Sequence, residues 1–451
     1  MRKKWFAILL AMVLVLSCTP TFSLADDVEH IVVWSDNAHE QTVREKQIEE
    51  FNNTIGKELG IVIDYTVFGT DYSNTINIAL MANDGPDLFR PSTNTFAGYV
   101  EAGYAVPISD LEGSEELLSQ YNTDELVVGD QLFNGKVYTL PYSLQSYKMI
   151  INKDLFDQAG IAAPPKTWDE VREDARLITE ASGGNAYGYF LALQSGWCQD
   201  HYIYSVNTPS LGHFGFDAVS GSYRYSDGLP IINSLLGMIE DGSMFPGFEN
   251  LHADTARAQF AAGRVGIVMA ASFDVAVYTE QFPAVCNWIV CDPPAISADG
   301  YEYKEMVTAV DLLAVAKKAL EKDTAKVAKV LQWFYADENL VEMYEQGMYI
   351  PFRSKVVSMA KESAVPGWKE FSTFKDDQFI IRMADPKGLL KYEGLSARET
   401  LGKLLSGGFN ESPEMVLKEL DDRLNAAFGA LDPEVQASYI AQEGYGVIRE
   451  K

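Results

Sequence analysis

The chain has 451 residues, with 36 Lys and Arg against 64 Asp and Glu, and a formal net charge of −28. A nucleic-acid binder needs a basic face to neutralise phosphate, and an acidic balance of this size excludes that class. Hydrophobic residues make up 47% of the sequence and support real cores, the length suits two or more domains, and four cysteines are too few for a disulfide-stapled scaffold.

The N-terminus reads as a secretory signal. Arg2, Lys3 and Lys4 precede an apolar run from Trp5 to Leu16, which is too short to span a bilayer. Two cleavage sites compete in LVLSCTPTFSLADD. One would leave Cys18 as a lipid-anchored first residue; the other would cut after Ala25 and release a soluble chain. The small residues Ser23 and Ala25 and the helix-breaking Pro20 favour the second, giving a signal peptide over 1–25. No later stretch approaches 18 apolar residues.

From His30 the chain alternates. HIVVWSDN predicts a strand, the segment from His39 to Gly60 an amphipathic helix, IVIDYTVF a strand, DYSNTINIALMANDG a helix and DLFRPS a short strand. Strand and helix in alternation predict a parallel α/β sheet, whose ligands sit beyond the carboxyl ends of the strands. The loops there are Trp34 to Asn37, Gly69 to Tyr72 and Arg90 to Asn94.

Asn134-Gly135 between two strand-like runs predicts a hairpin. Tyr147 to Ile151 reads as a strand and Asp154 to Ala159 as a short helix stopped by Gly160. Thr167 and Glu170 have the spacing of a capping box. TARAQFAAGRVGIVMAASFD predicts helix, glycine turn, buried strand and a loop at Ser272 to Asp274. VTAVDLLAV is strand-like, and helical periodicity follows to Gly347. Ser412-Pro413 starts a last long helix. Cys198, Cys286 and Cys291 read as unbridged thiols, because the last two are five residues apart, would face opposite sides of one strand and lack a zinc spacing.

Several of these segments together resemble the extracellular family 1 solute-binding proteins of bacterial ABC transporters, the group that includes maltose-binding protein. They are IVVW, ANDGPDLF, NGKVYTLPYS, INKDLFDQAGIAAPPKTWDEV, AQFAAGRVGIVM and GMYIPFR, in the family's order, over about 28–428. The resemblance implies a two-lobed α/β periplasmic-binding-protein fold of type II, with three crossing segments and a ligand cleft between the lobes. The lobes would cover 28–143 plus 312–352 and 148–306 plus 356–451, with crossings at 144–147, 307–311 and 353–355. It also implies hinge closure on a carbohydrate, expected to be an oligosaccharide, delivery to a membrane permease, and a monomer placed outside the cytoplasm, in the periplasm or on the outer face of the cytoplasmic membrane.

Sugar hydroxyls need carboxylates, amides or Arg, and the C–H faces of the ring pack on aromatic rings. Trp34 and Asp36 follow the first strand, although Trp34 also suits the core. Asp71 is a contact or a helix cap. Arg90, Ser92 and Asn94 follow GPDLF, with a salt bridge as the alternative role for Arg90. Gln145 falls at the hinge position that often touches sugar in the family. Trp197 stands where the second lobe presents aromatic platforms, Phe273 and Asp274 follow the GIVM strand, Asp311 lies in the second crossing, and Arg353 is a contact or a hinge salt bridge. Five scattered histidines form no metal cluster, and no cofactor is expected. A polyol phosphate or polyamine would suit the same fold. A secreted carbohydrate-active enzyme is the competing class, but GxSxG and HExxH are both missing from the sequence.

Overall fold

The computed structural model describes residues 28–69, 71–92, 95–374 and 378–441; the signal segment with Cys18, and Asn94, lie outside the described residues. In the strand Glu29–Ser35, Ile31, Val33 and Ser35 point into the protein while their neighbours are partly open. That period of two matches a strand with one face on the core. It pairs in parallel with Ile61–Val67 on one side and Leu88–Phe89 on the other, and the helices Gln41–Asn53 and Tyr72–Ala82 lie between these strands in the chain. The predicted parallel unit is therefore present.

Two main sheets organise the molecule. The larger has eight strands, ordered Ile350–Pro351, Thr139–Gln145, Met306–Ala316, Leu88–Phe89, Glu29–Ser35, Ile61–Val67, with Ala105–Val106 and Ile380–Ile381 added on Met306–Ala316. The smaller runs Trp288–Cys291, Tyr147–Asn152, Val265–Ala271, Tyr187–Tyr189. Gln145 ends a strand of the first sheet and Tyr147 begins one of the second. Ser146 is the step between them, and its Oγ donates to the Phe371 carbonyl at 2.7 Å. Met306–Ala316 runs beside Thr139–Gln145 with two register irregularities around Asp311.

Local chemistry sets most element ends. Asn134 and Gly135 both have positive φ, 52° and 71°, as a two-residue hairpin turn requires, between Leu132–Phe133 and Lys136–Val137. Asn152 accepts from the Asp154 and Leu155 amides to cap Lys153–Ala159, and Gly160 ends that helix at φ 74°. Thr167 caps Trp168–Ser182, but Glu170 reaches the Lys166 amide (2.6 Å) and not that of Thr167, so the expected box closes one residue early. A complete box forms at Ser396 and Glu399, which the sequence reading passed over. The helical stretch after Ala316 breaks into a 3₁₀ turn, Lys317–Glu321, and the helices Thr324–Phe334 and Asp337–Glu345.

One large apolar core runs through both sheets, and a smaller one of Tyr72, Ile76, Leu80, Phe89, Phe96 and Tyr99 lies beside the first sheet. Each fully buried side chain of this size contributes roughly 1.5–3 kcal/mol, so packing rather than helix propensity holds the layers. Among the described residues no helix is long and apolar enough to cross a membrane, and Cys198, Cys286 and Cys291 are free thiols.

Candidate functional site

The loop after the first strand is built on a buried polar network. Glu40 is almost fully buried; it accepts from the Tyr142 hydroxyl, and from Asn37 Nδ2 at 3.3 Å, with Arg44 Nη2 at 3.7 Å. A charge this deep needs such partners, and together they hold the loop rigid. On that loop Asp36 Oδ1 accepts from Arg90 Nη1 at 2.7 Å. Burial works against the Arg90 charge, but Asp36 outweighs it and keeps the guanidinium firmly protonated. Trp34 packs on Phe68 with ring centroids 4.7 Å apart, at the margin of the smaller core. Asp71 occupies the N-cap position of Tyr72–Ala82 without a side-chain cap bond and is exposed. Tyr72 donates to the Arg90 carbonyl at 2.8 Å.

Asp311 is buried on Met306–Ala316 and accepts from Gln131 Nε2 at 2.7 Å. Burial first, then the nearby Asp130 carboxylate, push its pKa well above the carboxylate range. Burial also raises Asp130, to about 6. A carboxyl kept neutral both donates and accepts a hydrogen bond, which suits a hydroxyl partner.

The second lobe presents rings. Trp197 and Phe273 stand 6.0 Å apart, edge to face at 71°. His201 lies 5.4 Å from Trp197 and 5.2 Å from Tyr147. Gln145, at the crossing, donates to the Tyr147 hydroxyl at 3.0 Å and sits 3.4 Å from His201 Nδ1. The two faces meet where His39, from the first lobe, packs 5.6 Å from Phe273. Burial lowers both histidines, His201 to about 3, so both are neutral at physiological pH.

The structure thus brings Gln145, Trp197 and Phe273 together around His201, with His39, just beyond the Asp36 loop, against Phe273. Asp274 and Arg353 have intramolecular partners. Asp274 accepts from the Ala271 amide (2.8 Å) and Tyr202 (3.1 Å) and lies 2.8 Å from Arg257 Nη2. Arg353 pairs with Asp337 at 2.7 Å and donates to the Tyr335 carbonyl, so it forms a salt bridge within the protein. His39, His201 and Arg257 were missed; they share no motif, and only the fold brings them against Trp197 and Phe273. A separate groove of about 600 Å³, between Ser220–Leu229 and the helix Pro413–Gly429, contains none of these residues and has Tyr223 as its one lining ring.

Two α/β sheets joined at strand level, with His39 of one side against Phe273 of the other, define a two-lobed α/β protein. The chain belongs to the bacterial extracellular solute-binding protein family, whose model matches residues 37–340. Binding proteins of Brucella abortus and Brucella suis are 28% identical over 225 residues, 50% of this chain and 54% of theirs. The maltotriose-binding protein of Pyrococcus abyssi is 25% identical over 298 residues, 64% of this chain and 59% of its own. The chain therefore spans little more than half the length of these curated relatives. Among solved structures, a solute-binding protein of Thermotoga lettingae bound with α-D-tagatose superposes with a TM-score of 0.67 at 19% identity, covering 88% of this chain and 99% of that one. RafE in complex with raffinose gives 0.64 at 15%, covering 88% and 99%. At these identities the structures establish the fold.

Proposed function

We propose that this chain is the exported substrate-binding component of an ABC importer, that it binds a carbohydrate, an oligosaccharide, between its lobes, and that it carries it to a membrane permease as a monomer. The observation that carries this reading is the pairing of the Trp197–Phe273 rings with the Asp36–Arg90 pair across one cleft. Flat rings take the C–H face of a sugar, and fixed charged donors and acceptors take its hydroxyls. The maltotriose-binding relative and a melibiose/raffinose/stachyose-binding relative from Bacillus subtilis, 28% identical over 143 residues (32% of each chain), support it.

Closure is a hinge motion biased by the ligand's better fit to the closed form. We place the crossings at 144–147, 307–311 and 353–355 and the lobes at 28–143 plus 312–352 and 148–306 plus 356–451. Signal removal would leave the protein in the periplasm or on the outer face of the membrane. The chain acts by binding, without catalysis.

A second reading has one observation behind it: a glycerol-3-phosphate-binding relative from Agrobacterium fabrum is 31% identical over 160 residues, 32% of this chain and 35% of its own. A phosphate would seek free guanidinium groups, yet Arg90 and Arg257 both already face carboxylates.

Thermal melting with a glycan panel (raffinose, stachyose, maltotriose, tagatose) beside glycerol 3-phosphate, polyamines and amino acids decides between them. Ligand at a hundred times its Kd stabilises by about 2.7 kcal/mol, readily seen in Tm. A shift with an oligosaccharide and no turnover supports the first reading. A shift with glycerol 3-phosphate alone establishes the second, and hydrolysis of any glycan overturns both.

A further inference from the structure

Arg257 lies on the helix Ala253–Ala261 and has only 7% of its surface open. Its guanidinium carbon is 5.0 Å from the centroid of Trp197 and 5.2 Å from that of Phe273, so it lies against both rings of the platform. One side is tethered: Nη1 donates to Asp254 on the same helix at 3.0 Å. The other faces Asp274 at 2.8 Å, and Asp274 is itself fixed by the Ala271 amide and the Tyr202 hydroxyl. A chain of contacts therefore runs from the backbone of the strand Val265–Ala271, through Asp274 and Arg257, to the faces of Trp197 and Phe273.

A buried ion pair is expensive, and an apolar side chain of equal volume would fill this space at lower cost. What an apolar side chain lacks is orientation. A cation over a ring is attracted to the ring face, and a planar guanidinium held by two carboxylates has one orientation to offer. Arg257 Nε is buried without a hydrogen-bond acceptor, so the two rings add to the compensation that Asp254 and Asp274 give the charge.

We propose that Arg257 is a positioning residue for the sugar platform: clamped by Asp254 and Asp274, it fixes the mutual angle of Trp197 and Phe273 and so sets which sugar faces the cleft accepts. This rests on the carbohydrate reading, and the test separates the two.

The ligand-free readout is acrylamide quenching of Trp197, taken as the difference between each protein and its Trp197→Phe counterpart. The ligand readout is raffinose affinity by calorimetry. Arg257→Met with Asp274→Asn keeps the volume and leaves no buried carboxylate without a partner, since Asp254 is half-exposed. It should raise Trp197 quenching and weaken raffinose binding by about thirtyfold, the value of a desolvated cation–π contact. Asp254→Asn, at the half-exposed end of the tether, should move both readouts in the same direction by less and decides the matter if the double variant does not fold. Trp197 quenching unchanged in a folded variant overturns the proposal, whatever the affinity does. If wild type ignores raffinose, the choice of sugar fails, and the quenching result still decides the role of Arg257.

Discussion

Trp197 tests the cleft at the scale of a single side chain. It is only partly buried, so its ring is available to a ligand face. Replacing it with Ala should cost about 2 kcal/mol in sugar binding, roughly thirtyfold in Kd. Titration calorimetry with the best glycan of the panel measures it; an unchanged Kd removes Trp197 from the site. Asp130 gives a pH prediction. Burial, only partly offset by Arg382, raises it from 3.8 to about 6 in the fold. The folded state thus holds that proton more tightly than the unfolded chain. The stabilising contribution is full below 3.8 and is lost as pH rises through about 6. Asp130→Asn should therefore be more stable than wild type near neutral pH, by up to about 3 kcal/mol, with the gain vanishing toward pH ~4. Urea unfolding across that range reads it, and a gain that persists in acid contradicts the assignment.

Elements are governed by their ends. The box at Ser396 satisfies two helix-end donors at once: Ser396 Oγ takes the Glu399 amide and Glu399 takes the Ser396 amide at 2.8 Å. Ser396→Ala should cost about 1 kcal/mol. Thr167→Ala should cost less, because Glu170 there is bonded to the Lys166 amide and remains so. Paired urea melts rank the two, and the reverse order contradicts this account. Gly129 is an element-level constraint of another kind. Its φ is +88°, and a Cβ there would lie 2.7 Å from the Tyr439 ring, which fixes how the segment before the hairpin meets the C-terminal helix Pro433–Tyr439.

At the scale of the whole molecule the lobes are joined where strands change sheet, and that junction carries a buried charge. Lys148, one residue into the second sheet, bonds Glu305 at 2.9 Å, just before Met306–Ala316 returns to the first. Removing one partner leaves the other buried and alone. Lys148→Met should cost about 3–5 kcal/mol, and the pair Lys148→Met with Glu305→Leu should recover most of it. Calorimetric melting of the three proteins tests this. A double variant as unstable as the single one would show that the pair is not an isolated unit.

Much of this was legible in the sequence. The strand and helix alternation, the Asn134-Gly135 turn, the Asn152 to Gly160 helix and the Ser412-Pro413 start are local. Residues within one turn of each other decide them through capping, φ preference and hydrophobic period. The family resemblance came from the same short segments. The cleft is different. Nothing near His39 announces that it will meet Phe273, and nothing near Arg257 that it will lie between Trp197 and Phe273 with Asp274 beyond. Those contacts arise when segments far apart in the chain pack together, and the charges of Asp130, Asp311, His39 and His201 are set by the burial that follows. Local sequence chose the elements because short-range sterics and hydrogen bonds suffice for them; only tertiary packing decided the site, because desolvation and contacts between distant segments exist only once the elements have packed.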